Sequence, residues 1–460
     1  MSLIKSISGI RGTIGGKPGE GLSPLDVVKF TASYARWLKE SSQSNQPKVV
    51  VGRDARLSGQ MVDALVCATL TGMGCNVVNI GLATTPTTEI AVVKELANGG
   101  IILTASHNPA QWNALKLLNG DGEFLSAEEG AKILAFAEEE AFEFADVYEL
   151  GTIQEKDYLK AHIQQILNLE LVDVEAIRRA NFSVAFDAVN SVGGIALPAL
   201  LDALGVKNIV PINEEPTGHF AHTPEPLPEN LVETCQLVKE QDVDVCFVVD
   251  PDVDRLSIIS EDGSMFNEEY TLVAVADYVL SITPGNTVSN LSSTRALRDV
   301  TEQHRGTHAA SAVGEVNVVT KMKETNAVIG GEGNGGVIYP ASHYGRDALA
   351  GIALFLTHLA KSGKRCSELR KTYPNYVISK NKIELTPDID VDNLLLKMKE
   401  KYQHEQVNDI DGVKIDFANE WVHLRKSNTE PIIRIYAEST SEKAATDLAN
   451  KLISEIKALI

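Results

Sequence analysis

One stretch constrains this chain more than any other. The valine-rich strand Val243–Val249, apolar but for Asp244, ends in Asp250-Pro251-Asp252-Val253-Asp254-Arg255. Side chains two apart in extended backbone point the same way, so carboxylates at i, i+2 and i+4 converge at the end of a buried strand. Converging anions repel, and a hard divalent cation is their natural compensation. A solvated acidic turn is the plain alternative, but so apolar a strand argues against it. An EF-hand would also place an acid, Glu261, at the twelfth position. It fails because Arg255 stands where the calcium loop needs Gly, and Leu256–Ile259 continues as strand. An aspartyl-phosphatase signature, with Asp250 as nucleophile and Asp252 as acid/base, expects Thr or Val where Asp254 stands.

At 460 residues the chain holds about three domains by length alone. The first ~125 residues alternate strand and helix, and so read as an α/β domain with a parallel sheet. Ser23-Pro24-Leu25-Asp26 opens a helix with a Ser cap and Pro at the first position. Strands are expected at Lys48–Gly52, Val77–Ile80 and Ile101–Thr104, and a helix at Val62–Met73. Ser126-x-x-Glu129 starts another helix, expected to end near Ala145. A second α/β stretch carries the carboxylate loop, and a third runs from Ser257 to about Ser362. Strands at Val377–Leu385, Val413–Phe417, Trp421–Leu424 and Ile432–Ala437 then precede a helix capped by Ser439-x-x-Glu442, which reads as α+β. The Pro-rich Thr223–Pro228 is an extended surface loop. These patterns divide the chain at 1–150, 151–258, 259–370 and 371–460.

The formal net charge is −20, and no Lys/Arg cluster offsets it. Nucleic acid and anionic membrane are therefore excluded as partners. No apolar run reaches the ~20 residues of a membrane helix, and no secretory leader is present, so the cytoplasm is expected. The five cysteines are widely spaced without a C-x-x-C pair, and read as buried free thiols. An anionic substrate must then be gathered by placed arginines, backbone N–H groups or a metal.

Three further segments fit that requirement. Gly99–Thr104 is a buried strand that delivers Ser106 to a loop at its carboxyl end, where ligands bind in open α/β sheets. His107 is its sequence neighbour, which disfavours a serine-hydrolase dyad, and no G-x-S-x-G elbow is present. The loop Gly330–Gly336 lets backbone approach a ligand closely, and its Glu332 and Asn334 suit sugar hydroxyls. Arg425-Lys426-Ser427-Asn428-Thr429, followed by Arg434, packs guanidinium groups, hydroxyls and an amide around a turn between strands. Arginine matches phosphate in a bidentate fork, so this cationic turn is an anion seat.

Together these segments resemble the α-D-phosphohexomutase superfamily, over essentially the whole chain. Thr104–Pro109 is similar to its phosphoserine loop, Asp250–Arg255 to its metal loop, the Glu332 segment to its sugar loop and Arg425–Thr429 to its phosphate loop. Ser8-Gly9-Ile10-Arg11-Gly12 resembles the motif that brings an arginine into the active site. The resemblance implies three related mixed α/β domains plus a C-terminal α+β domain around a central cleft. It implies a phosphorylated Ser106, Mg²⁺ held by Ser106, Asp250, Asp252 and Asp254, and Arg11, His107, Lys116 and Arg255 as catalytic groups. Glu332, Asn334, Arg425, Ser427, Asn428, Thr429 and Arg434 would bind substrate. A hexose phosphate is the implied substrate and a hexose bisphosphate the activator, in a monomer or homodimer. Asn334 and Gly336 depart from the common G-E-x-S-G-H pattern and look like phosphoglucosamine mutases, ahead of phosphomannomutase/phosphoglucomutases. An aspartyl-phosphatase-like hydrolase and a non-catalytic metal- or sugar-binding module are the rivals.

Overall fold

The computed structural model describes residues 2–6, 9–385, 389–426 and 432–459. The chain forms two compact units, Met1–Thr271 with Gly335–Leu369, and Leu272–Asn334 with Arg370–Ile460. None of the described helices is long and apolar enough to cross a membrane.

The first unit opens with a seven-stranded sheet of β1 (Leu3–Ser6), β2 (Gly9–Thr13), β3 (Lys48–Arg53), β4 (Asn76–Leu82), β5 (Gly99–Leu103), β6 (Trp112–Leu118) and β7 (Ile153–Glu155). Their order is β1-β2-β6-β5-β3-β4-β7. The expected parallel sheet holds for β5, β3, β4 and β7. It fails for β6, which runs antiparallel to both β5 and β2. The connection Thr104–Gln111 explains this: a parallel crossover needs roughly a dozen residues or more, and this loop is shorter. The helix Pro24–Ser42 starts where expected, with the reciprocal Ser23–Asp26 capping box. Its Tyr34 hydroxyl lies 2.6 Å from the Leu118 carbonyl and 3.1 Å from that of Gly100, tying the helix to β5 and β6. The helix from Ala127 stops at Glu139, not near Ala145, because Glu140 turns left-handed at φ 49°.

The second sheet of this unit has the order β11-β10-β8-β9, from β8 (Ser183–Asp187), β9 (Asn208–Ile212), β10 (Val245–Val249) and β11 (Leu256–Ser260). Leu256–Ser260, expected to open the third stretch, instead pairs antiparallel with β10 and closes the second sheet. The division at 258/259 therefore cuts a strand. Among the described residues all five cysteines are free, and only Cys235 is not fully buried.

The Pro-rich segment lies in the long connection after β9, and is less loose than expected, since Pro224 and Pro226 are buried. His222 pins it: Nε2 lies 3.2 Å from the buried Asp187 carboxylate and Nδ1 2.9 Å from the Thr223 carbonyl. Both ring nitrogens face acceptors, an arrangement that favours the imidazolium. Burial opposes that charge, but the Asp187 carboxylate prevails and raises the His222 pKa. The Asp187 pKa is lowered in spite of burial, chiefly by His222. A raised histidine stabilises below its unfolded pKa and loses that contribution as pH rises through its folded pKa. A lowered carboxylate loses its own contribution as pH falls through its folded pKa. His222→Gln should therefore lower the melting temperature most near pH 6, by about 1–2 °C for a pair worth about 1 kcal/mol in a chain of this size. The gap should close as pH rises; a gap constant from pH 6 to 9 in thermal melts would refute the ionic pin.

The second unit contains β12 (Asn286–Asn290), β13 (His308–Ser311) and β14 (Ala327–Glu332), with β12 parallel to both others. The short β15 (Gly336–Ile338) follows in the chain. Then come β16 (Val377–Glu384), β17 (Gln406–Asn408), β18 (Val413–Asp416), β19 (Trp421–Lys426) and β20 (Ile432–Ser439). They form an antiparallel sheet in the order β16-β20-β19-β18-β17. Helices Val391–Lys401 and Glu442–Lys457 cover its apolar face, burying Leu394, Met398, Leu448 and Leu452 against Ile415, Leu424 and Ile435. The final helix is capped by Ser441, not Ser439, which is still in β20.

Candidate active site

Ser106 follows β5 on a loop whose geometry is costly. Its φ is +48°, a left-handed conformation uncommon outside glycine. Strain of this kind persists only where surroundings enforce it. Arg56, fully buried, does so: its Nη2 donates to the Ser106 carbonyl and, at 2.8 Å, to that of Asn108. Its Nη1 reaches the Pro109 carbonyl at 2.9 Å, and Asp54 holds its Nε at 2.9 Å. Asp54 also accepts from Thr104 Oγ at 2.6 Å, and that oxygen accepts the Ser106 N–H at 2.9 Å. Arg11, on β2, donates to Asn108 Oδ1 at 2.9 Å. The loop is thus gripped from β2 and from the segment that follows β3.

The Ser106 hydroxyl donates to Asp250 Oδ2 at 2.6 Å. The carboxylate loop has its own outlier, Val253 at φ +63°, a severe position for a β-branched residue. That kink lets Asp250 Oδ1 accept the backbone N–H groups of Asp254 and Arg255, each at 3.2 Å. Asp252 Oδ2 takes the Thr85 hydroxyl at 2.6 Å and Lys116 Nζ at 2.7 Å. Asp254 Oδ2 takes Arg346 Nη2 at 2.7 Å, with Lys116 at 3.4 Å. Asp252 and Asp254 therefore each commit one oxygen to a cation.

Their other oxygens, Oδ1 of Asp252 and Oδ1 of Asp254, are buried without a hydrogen-bond partner. One ligand atom from each of the three aspartates lies within 4.8 Å of the others, the one such group among the described residues. Buried acceptors without donors are uncommon in folded proteins. A hard cation fits this donor set, so the triplet can hold a metal. Charges shift accordingly. Burial, then the neighbouring Asp252 and Asp254, push the Asp250 pKa well up. Burial also opposes ionisation of Asp252, but Lys116 overrides it and draws the pKa below the usual carboxylate range. Lys116 is raised in turn despite its burial, by Asp252 and Asp254. His107 does not engage Ser106; its Nδ1 has no hydrogen-bond partner. Burial, followed by Arg255 and Arg11, lowers its pKa well below the ordinary value, so the ring is neutral at pH 7. Arg255 Nη1 pairs with Glu225 at 3.2 Å, while its Nε stands 4.0 Å from Asp250 and 3.9 Å from Asp254.

The second unit holds the two remaining constellations. Glu332, the last residue of β14, accepts from Asn290 Nδ2 at 2.7 Å and from the Gly314 N–H at 3.1 Å. Asn334 Nδ2 lies 3.4 Å from its other oxygen. On the antiparallel sheet, Arg425 stands opposite Arg434, and Arg434 opposite Lys382. Like charges directly opposed across strands are destabilising, so this row of cations favours an anion beside it. Ser427, Asn428 and Thr429 lie outside the described residues.

Sequence profiles of the phosphoglucomutase/phosphomannomutase family match in chain order. Its α/β/α domains I, II and III match residues 3–144, 158–263 and 267–376, and its C-terminal domain residues 389–455. The chain belongs to this family, the α-D-phosphohexomutases. A phosphoglucomutase/phosphomannomutase of Thermococcus kodakarensis is 36% identical, over 96% of this chain and 98% of its own. A phosphoglucosamine/phosphogalactosamine mutase of Sulfurisphaera tokodaii is 32% identical, over 100% and 99%. The crystal structure of a putative phosphomannomutase from Thermus thermophilus superposes with a TM-score of 0.82 at 27% identity, covering 99% of each chain. This phosphohexomutase is accordingly an isomerase, built of three α/β domains and a C-terminal domain.

Several residues that hold its site together have no motif of their own. Asp54, Arg56, Thr85 and Arg346 all touch the serine or carboxylate loop. One signal was available: Asp54-Ala55-Arg56 follows the buried β3, which runs parallel to β5, so it leaves the same sheet edge as Ser106. Thr85 and Arg346 come from a helix start and a loop that gave none.

Proposed function

We propose that this phosphohexomutase interconverts the 6-phosphate and 1-phosphate of a hexosamine through phosphorylated Ser106 and a bound sugar bisphosphate. The observation that carries the reading is the Ser106 hydroxyl at 2.6 Å from Asp250, beside carboxylate oxygens left without donors. A hexose bisphosphate primes the enzyme by giving one phosphoryl group to Ser106 Oγ and leaving as monophosphate. In the forward half-reaction the Oγ–P bond breaks as a substrate hydroxyl oxygen bonds to phosphorus, and its proton passes to a nearby base. The bisphosphate then turns over, its other phosphoryl group returns to Ser106, and the monophosphate isomer departs.

Phosphoryl transfer needs positioning and charge neutralisation above all. A phosphoserine adds about −1.5 to −2 charge to three carboxylates. Lys116, Arg346, Arg255 and Arg11 are the chain's own counter-charges here. Asp250, Asp252, Asp254 and the Ser106 oxygen are the residues to hold Mg²⁺, which when bound supplies the balance of positive charge. The neutral His107 ring and Lys116 are the groups to exchange protons with sugar hydroxyls. Glu332 and Asn334 would orient the sugar, and Arg425 and Arg434, with the turn between them, the phosphate not being transferred. A hexosamine phosphate carries an ammonium on the sugar ring, which suits Glu332 and a chain of net charge −20. The 36% identical relative supports a second reading, a glucose/mannose phosphate mutase.

A coupled assay with glucosamine, glucose and mannose phosphates, each with catalytic hexose bisphosphate, tests both. Glucosamine phosphate should give the highest kcat/KM, by about tenfold or more, a difference of about 1.4 kcal/mol. Preference for glucose or mannose phosphate would overturn the hexosamine assignment and install the second reading. Phosphopeptide mapping of the primed enzyme should place phosphate on Ser106; phosphate on Asp250 instead would establish a phosphatase-like mechanism.

A further inference from the structure

Within the second unit, Glu332 and Arg425 are joined through one side chain, that of Asp411. Asp411 sits between β17 and β18, and its carboxylate grips Arg425 Nε at 2.9 Å and 3.2 Å. Its Oδ2 also accepts the Val313 N–H at 3.0 Å. The very next amide, Gly314 N–H, donates to Glu332 Oε1 at 3.1 Å. Two consecutive peptide N–H groups are thus divided between the carboxylate that holds Arg425 and the carboxylate placed to meet the sugar.

A second route closes the circuit. His423 Nε2 lies 2.6 Å from the Asp411 carbonyl, an acceptor only, so Nε2 carries the proton. Burial lowers the His423 pKa to about 4, leaving a neutral ring whose Nδ1 accepts from the Ser292 hydroxyl at 2.9 Å. The backbone N–H of Ser292 donates to Asn290 Oδ1 at 3.0 Å, and Asn290 Nδ2 donates to Glu332 at 2.7 Å. The loop after β12 and the Val313-Gly314 peptide therefore both connect Glu332 to Asp411.

We infer that Asp411 is a positioning residue that fixes the Arg425 guanidinium relative to the sugar-binding Glu332, so that hydroxyl recognition and phosphate capture are set in one register. The chemistry favours this. Asp411 engages Arg425 through Nε, and among the described residues neither terminal amino group of Arg425 makes a hydrogen bond or ion pair, which leaves the fork that pairs bidentately with a phosphate. A long arginine otherwise samples many rotamers, and holding it in advance removes that entropy from substrate binding. The ligand is the phosphate ester of a hexose, and the inference rests on the mutase reading above.

Asp411→Asn keeps the shape and removes the charge. Its KM for the sugar monophosphate should rise about ten- to thirtyfold with kcat within about threefold, and inorganic phosphate should weaken as a competitive inhibitor to the same extent. In an Arg425→Ala background the same substitution should have no further effect, because the residue acts through that guanidinium. Asp411→Glu, charged but on a longer arm, should recover part of the loss. An unchanged KM in Asp411→Asn, full additivity with Arg425→Ala, or no recovery in Asp411→Glu would each overturn the inference. A wild-type enzyme without hexose-phosphate mutase activity would refute the mutase reading itself, a result these variants cannot mimic.

Discussion

Ser106→Ala should lower mutase turnover by about four orders of magnitude or more, a barrier increase of at least about 5.5 kcal/mol, with the fold intact. Both expectations come from the same geometry. In the proposed cycle every phosphoryl group passes through the Ser106 oxygen, and no neighbour is placed to replace it. His107 lacks a bond to it, and the nearest carboxylate, Asp250, is committed to the backbone of its own loop through Oδ1. The hydroxyl makes one hydrogen bond, to Asp250. The loop itself is held by main-chain contacts that alanine retains: the Arg56 bonds to the carbonyls and the N–H to Thr104 Oγ. Alanine at φ +48° is strained about as much as serine, so the change in melting temperature should stay within about 4 °C. A coupled assay and a thermal melt of the same preparation decide the matter. Wild-type turnover in a folded Ser106→Ala enzyme would end the phosphoserine mechanism.

The contrast between what this sequence disclosed and what it withheld follows the distance over which each feature is built. The carboxylate loop was legible because the strand, the spacing and the ligand set lie in one continuous segment, Val245–Arg255. Its partners were not, since Thr85, Lys116 and Arg346 reach it from a helix, a strand and a loop scattered across the first unit. Lys116 entered through family resemblance alone. Arg56 shows the same limit: a buried arginine beside an aspartate reads as an ordinary charged turn until the carbonyls it clamps are known. Local pattern also misled where two signals competed. Ser439 and Ser441 both precede acids at the closing helix, and the hydrogen-bonding of β20 to β16 as far as Ser439 decided between them. The antiparallel β6 was hidden because its direction depends on loop length, not on its own residues. Asp411 and His423 gave no signal, because each works through a partner more than ten residues away.

The Asp252 carboxylate offers the sharpest test of the metal. Asp252→Ala would remove the 2.7 Å partner of the buried Lys116 and leave that cation with Asp254 at 3.4 Å. Losing one member of a buried pair costs roughly 3–5 kcal/mol, so alanine confounds stability with function. Asp252→Asn preserves the shape and the Thr85 contact while removing one negative charge from the triplet. Its turnover should fall about a thousandfold, because the site then lacks a hard anionic ligand and holds less firmly the cation that would offset the phosphoserine. Melting supplies the independent readout. A cation that binds only the folded protein stabilises it by about 2.7 kcal/mol at a hundred times its dissociation constant. The wild-type melting temperature should therefore rise with added Mg²⁺ and fall back in EDTA, and the increment should vanish in Asp252→Asn. The free Oδ1 atoms of Asp252 and Asp254 are what make that increment expected, since burying them without a donor is the expense a cation removes. Full activity in EDTA, or an undiminished Mg²⁺ increment in the variant, would mean that Lys116 and Arg346 alone neutralise the triplet.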